Sequence, residues 1–165
     1  MAALRKLINT SLVRTINETP NIKGDVVVLI HPYEHLSYLS KNNNEIDNYH
    51  KNLCKLISKD SRIIVTLERE GNLHKTVEKH IDFRSIGERY FVESNKQSSF
   101  PIMGWNRLAE FIEKFSPDRV YVCGCYLTKN GKSACVGEGL KNLKEYFPNV
   151  EFIEDCCLSP QEIKD

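Results

Sequence analysis

Apolar residues along this chain follow two different spacings. Short unbroken runs rich in β-branched residues predict strands at 25–30 (DVVVLI), 62–67 (RIIVTL), 90–92 (YFV), 119–123 (RVYVC) and 150–153 (VEFI). The longer runs do not alternate apolar with polar, so burial on both faces is expected, as in a parallel sheet. Elsewhere apolar residues recur every three to four positions, the spacing of a helix with one buried face. Ile46, Tyr49, Leu53, Leu56 and Ile57 mark one helix, behind a polar stretch at 41–44 that supplies an N-cap. Trp105, Leu108, Phe111, Ile112 and Phe115 mark a second, stopped by Ser116-Pro117-Asp118. Val136, Leu140, Leu143 and Phe147 mark a third that starts near Cys135.

The first twenty residues carry Leu4, Leu7, Ile8, Leu12 and Ile16 at helical spacing. They predict an N-terminal amphipathic helix over 1–20, packed on a domain spanning 21–165. Residues 68–85 are charged and hard to assign, with a short helix expected around 75–80. Strands alternating with helices over connections long enough for crossovers predict a three-layer α/β/α, Rossmann-like parallel sheet in a single domain. Sites in such sheets lie beyond the carboxyl ends of the strands. That rule directs attention to His31, Glu68, residues 124–133 and residues 155–158.

Composition narrows the function classes. At 165 residues the chain suits one domain with a real core. Lys+Arg 23 against Asp+Glu 22 argues against nucleic acid or an anionic membrane surface as partner. No apolar stretch approaches the roughly 20 residues of a membrane span. The N-terminus lacks the apolar block and cleavage site of a secretory signal. The six cysteines, Cys54, Cys123, Cys125, Cys135, Cys156 and Cys157, are therefore expected as thiols in a cytoplasmic protein rather than as a disulfide framework.

Cys135 is the most informative of them. It opens a helix just after a strand that Gly124 closes, and the helix dipole favours a thiolate at that position. Cys135 is thus a sensible nucleophile, against the plainer reading of a small buried residue at a helix start.

This arrangement resembles the isochorismatase-like cysteine hydrolases. They carry a strand, a Gly, a short loop and then Cys-Val opening a helix, with an acidic residue about twenty positions on. Here Gly124, Cys135-Val136 and Asp155 keep that order. Lys96-Gln97-Ser98-Ser99-Phe100, ahead of the 105–115 helix, is similar to the family's Lys and Ser-x-Phe-like segment. The resemblance implies an Asp–Lys–Cys triad acting on a small amide or related compound, with backbone N–H groups beside the Cys holding the oxyanion. Carried across, Cys135 is the nucleophile and Lys96 the electrostatic support. His31 stands where the family has its Asp, and is the expected base. Phe100, Trp105 and Glu34 are expected to line the substrate pocket. The chain departs from the family at His31, in the longer loop 125–134, in the shorter spacing from Lys96 to Phe100, and after Asp155, where no closing helix and strand follow. One sheet edge is therefore expected to need cover from the N-terminal helix or from a second subunit, and a homo-oligomer is one expectation.

Other signals weigh less. His31-Pro32-Tyr33-Glu34-His35 matches an inverted zincin pattern, but Pro32 directly after a strand predicts a turn rather than a zinc-binding helix. Cys123, Cys125, Cys156 and Cys157 gather at two strand ends, yet their spacing suits buried thiols better than a zinc knuckle. Glu68, Glu70, His74 and His80 do not reproduce a metal triad, and 131–139 (GKSACVGEG) lacks the first glycine of a phosphate loop. No metal and no cofactor are expected. The first functional expectation is a cysteine hydrolase with a small-molecule substrate. The alternative is a catalytically inactive member of the fold, serving as a binding or assembly module with a protein partner.

Overall fold

A computed structural model describes residues 12–14, 24–32, 44–57, 63–69, 89–129 and 132–158. The β-branched runs form strands β2 (Val26–Ile30), β3 (Ile63–Arg69), β4 (Arg89–Ser94), β5 (Val120–Cys125) and β8 (Val150–Leu158). Two two-residue strands, β6 (Thr128–Lys129) and β7 (Lys132–Ser133), pair antiparallel between β5 and the following helix. The helices are α1 (Asn44–Ile57), α2 (Trp105–Glu113) and α3 (Cys135–Leu143).

With β1 (Leu12–Arg14) at one edge, the main sheet runs in the order β1-β8-β5-β2-β3-β4, with every neighbouring pair parallel. After β1 the chain lays down β2 at the centre, builds outward through β3 to β4, then returns to the other side of β2 for β5 and β8. The helices pack on opposite faces of this sheet. Tyr49, Leu53 and Leu56 of α1 pack with Val27, Leu29, Ile64 and Tyr121 on one face. Leu108 and Ile112 of α2, with Val136, Leu140 and Leu143 of α3, pack with Val28, Ile30, Val65 and Val122 on the other. This is a single-domain, three-layer α/β/α, Rossmann-like fold.

Three expectations need correction. Leu12–Arg14 lie within the segment expected as an amphipathic helix but form β1, in register with Glu151–Ile153 of β8. The apolar spacing does not decide the conformation of Leu12–Arg14, because an open sheet edge offers backbone partners. A strand of the chain itself thus covers the edge of β8. The remaining residues of 1–20 lie outside the described residues, as does the short helix expected around 75–80.

The last strand runs to Leu158 rather than stopping at Ile153. Its pairing with β5 shifts register between Val122 and Gly124 and resumes at Cys157 and Leu158. Glu154 and Asp155 sit in that irregularity, where polar side chains need not enter the core. Asp155 is thus mid-strand, and its carbonyl accepts a hydrogen bond from Asn52 Nδ2 at 3.0 Å. Likewise β5 does not close at Gly124 but continues to Cys125.

Candidate functional site

The chain reverses direction across the sheet between β2 and β5, and their carboxyl ends frame the crevice where this fold class binds ligands. His31 leaves β2 there. Its N–H still donates to Leu67 O at 2.9 Å, but its φ is 42°, in the left-handed region that non-glycine residues seldom occupy. Surrounding contacts hold this turn. Pro32 O accepts from Tyr49 OH at 2.5 Å and from Cys125 Sγ at 3.6 Å.

The His31 side chain is fully buried. It reaches past β3 to β4, where Nε2 lies 2.6 Å from Ser94 Oγ. Its Nδ1 has no hydrogen-bond partner among the described residues. Burial, and after it the Arg69 guanidinium, lower the His31 pKa from 6.5 to about 3, so the imidazole is neutral at physiological pH.

Lys96 lies in the turn after β4 with its side chain exposed. Its carbonyl accepts from Arg69 Nη1, which ties the end of β3 to this turn. Asn95 N–H donates to Phe100 O at 2.8 Å and Ile102 N–H to Glu93 O at 2.9 Å, closing the turn on itself. Phe100, Ile102 and Met103 stand out from it at 52%, 57% and 39% exposure. Buried Ser99 donates from Oγ to Glu138 Oε2 at 3.0 Å, joining the turn to the first turn of α3.

Cys135, half-buried, is the first residue of that helix. The loop before it makes an excursion through β6 and β7 and is then returned. Ala134 N–H donates to Leu127 O at 3.3 Å and Val136 N–H to Tyr126 O at 3.0 Å. The peptide between Cys125 and Tyr126 is cis. The length of the loop therefore does not carry Cys135 away from the end of β5. Ala134 offers no side-chain cap to α3.

One turn further along, a Cβ on Gly139 would come 2.1 Å from Ile30 Cδ1 and 3.4 Å from Trp105 Cη2. Any side chain there would need the end of the Ile30 side chain to give way, so α3 lies close against β2 at this point. Residues four apart share a helix face, so Cys135 sits on the face turned toward β2, one turn nearer the level of His31.

The structure thus assembles His31, Cys135 and the Lys96–Phe100 turn at one end of the sheet. Trp105 lies in the core beneath α3 instead, at 6% exposure. Glu34 is outside the described residues, as are His35, Glu70, His74 and His80. The β5 and β8 thiols are structural in setting: Cys123, Cys125 and Cys156 are fully buried, and burial pushes the Cys157 thiol well up. Among the described residues no group of three or more His, Cys, Asp and Glu is placed to hold a metal ion. No described helix is long and apolar enough to cross a membrane.

Sequence reasoning missed Ser94, Arg69 and the Ser99–Glu138 pair. Ser94 and Arg69 end adjacent parallel strands, in register with each other. With β3 and β4 correctly aligned, that position would have flagged both. Compared with protein-family models, curated proteins and solved structures, the chain matches none.

Proposed function

We propose that this crevice is the active site of a cysteine-dependent hydrolase for a small amide or related acyl compound, of the isochorismatase-like kind. The observation that carries the reading is the convergence just described. Three contacts from distant parts of the chain, His31–Ser94, Gly139–Ile30 and Ser99–Glu138, bring a helix-terminal thiol and a buried imidazole to the carboxyl edge of the sheet.

Cys135 is the nucleophile. Its position at the start of α3 favours the thiolate. The thiolate adds to the acyl carbon, the leaving group departs with a proton taken from solvent, and water hydrolyses the resulting thioester to the free acid and thiolate. Phe100, Ile102 and Met103 offer apolar surface to the rest of the substrate. No cofactor enters this chemistry.

His31 is a poor candidate for removing the thiol proton. Transfer from an ordinary thiol of pKa ~8.5 to an imidazole at about 3 is uphill by roughly 7 kcal/mol. Cys135 therefore loses its proton to solvent before substrate binds.

The test is acyl-enzyme trapping. With p-nitrophenyl acetate, mass spectrometry should find one acetyl group, on Cys135, and none in Cys135→Ser at the same time point. Acetylation spread over other residues, or none, would overturn the reading.

One observation favours a second reading, a catalytically inactive binding module. The Lys96 side chain is exposed, and its carbonyl is what Arg69 engages. On that reading Cys135 is not acylated, and Cys135→Ala leaves partner binding unchanged.

A further inference from the structure

Cys135 has two neighbours along α3 in unlike surroundings. Gly139, four positions on, is buried against Ile30, while Glu138, three positions on, is exposed. Residues three and four apart adjoin on a helix surface, with Cβ atoms about 5–6 Å apart. The half-buried thiol therefore lies where the core meets water, with Glu138 on its water side. A helical side chain also leans back over the turn before its own Cα. For Glu138 that turn is the one Cys135 opens.

The Glu138 carboxylate does not cap its own helix. A capping glutamate bonds the amide of the N-cap residue, but here that amide, Ala134 N–H, donates to Leu127 O at 3.3 Å. The carboxylate is held from outside the helix instead. Buried Ser99 donates from Oγ to Oε2 at 3.0 Å. The turn carrying Ser99 is closed by its own backbone bonds, Asn95 N–H to Phe100 O and Ile102 N–H to Glu93 O. Oε1 is hydrogen-bonded to no described residue.

We propose that Glu138, positioned by Ser99, is the general base that activates water against the Cys135 thioester. The inference rests on Cys135 being acylated, as proposed above, and supplies the base for the deacylation that follows. Oε1 takes a proton from water as the water oxygen bonds to the acyl carbon. The adduct then collapses: the carbon–sulfur bond breaks, its electron pair leaves on Cys135 Sγ as thiolate, and the free acid departs. Glu138 passes its proton to solvent. A base must lie within hydrogen-bond reach of the proton it takes, and the spacing along α3 leaves room for one water between carboxylate and acyl group. His31, fully buried and bonded to Ser94, offers no base in contact with solvent.

The experiment times acylation and deacylation of Cys135 separately. The full chain is acetylated with p-nitrophenyl acetate, freed of reagent, and the acetyl group on Cys135 followed by mass spectrometry across pH. Glu138→Gln keeps an oxygen for Ser99 to bond. In that variant acetyl-Cys135 should form no more slowly than in the wild-type chain and persist about 100-fold longer. Its deacylation should also lose the acid-side fall that a general base gives the wild-type rate. Formate should restore deacylation in Glu138→Ala, which a purely structural role for the residue does not produce. Ser99→Ala should slow deacylation by less than Glu138→Gln does. Deacylation of Glu138→Gln at the wild-type rate, with Cys135 acetylated in both chains, would overturn the inference and leave the nucleophile standing. A wild-type chain with no acetyl-Cys135 at all would overturn the nucleophile, and the inference with it.

Discussion

The backbone of Gly124 runs directly against that of Ile30: a Cβ on Gly124 would lie 2.0 Å from Ile30 O. Ile30 ends β2 and Gly124 is the last residue but one of β5, the strands that frame the crevice, and the two are paired in the ladder. Gly124 also has φ 124°, a conformation that side-chain-bearing residues rarely adopt. Both strand ends, and with them His31 and the approach to Cys135, depend on a missing side chain.

Gly124→Ala should therefore destabilise the fold by more than about 3 kcal/mol, because neither backbone can give way. Gly24→Ala is the control. Its φ is 92° but nothing lies within 4 Å of the added Cβ, so only backbone strain, about 1 kcal/mol, is expected. Urea unfolding of both variants checks this. Equal losses would show that the close approach to Ile30 does not matter.

Tyr49→Phe removes the hydroxyl that donates to Pro32 O while leaving the ring in the α1 face of the core. The expected loss is about 1–2 kcal/mol, since among the described residues the buried carbonyl then keeps only the weaker Cys125 thiol as a donor. A urea midpoint unchanged from wild type would contradict the anchoring of the His31 turn.

Buried His31 also makes stability depend on pH. Its folded pKa, about 3, lies below the ordinary 6.5, so as pH falls below 6.5 the unfolded chain takes up a proton that the folded chain refuses. This contribution is fully present above pH 6.5 and is lost as pH falls toward 3. Between pH 7 and pH 5 the wild-type chain should lose about 2 kcal/mol. His31→Gln should lose much less over the same interval, whatever its starting stability. Parallel urea titrations at the two pH values decide it, and equal losses would show that His31 titrates normally in the folded chain.

The α/β class and every main strand after residue 24 were legible because β-branched runs and helical spacing do not compete over those stretches. The Cys135 helix start was legible for the same reason. Strand ends were harder to read. Glu154 and Asp155 look like an exit, yet pairing with β5 carries β8 past them through a register shift. The three residues of β1 look helical by spacing, but an open sheet edge decides their conformation.

Of the proposed site, motif order alone singles out Cys135, His31 and the Lys96 turn. It does not single out Ser94, because nothing local marks a serine as the partner of a histidine 63 residues away. The neutrality of His31 was equally hidden. It follows from complete burial and the nearby Arg69, which are properties of the packed sheet.

The most direct test of the account is the pH dependence of alkylation of Cys135, followed residue by residue by mass spectrometry, with exposed Cys54 as the internal reference. Burial raises the Cys54 pKa. The account predicts that Cys135 labels faster than Cys54 near neutral pH. It also predicts a single rise with an apparent pKa below ~8.5 and no second inflection from His31. Labelling of Cys135 no faster than that of Cys54, with a midpoint at or above ~8.5, would contradict a thiolate nucleophile and leave the binding module as the better account.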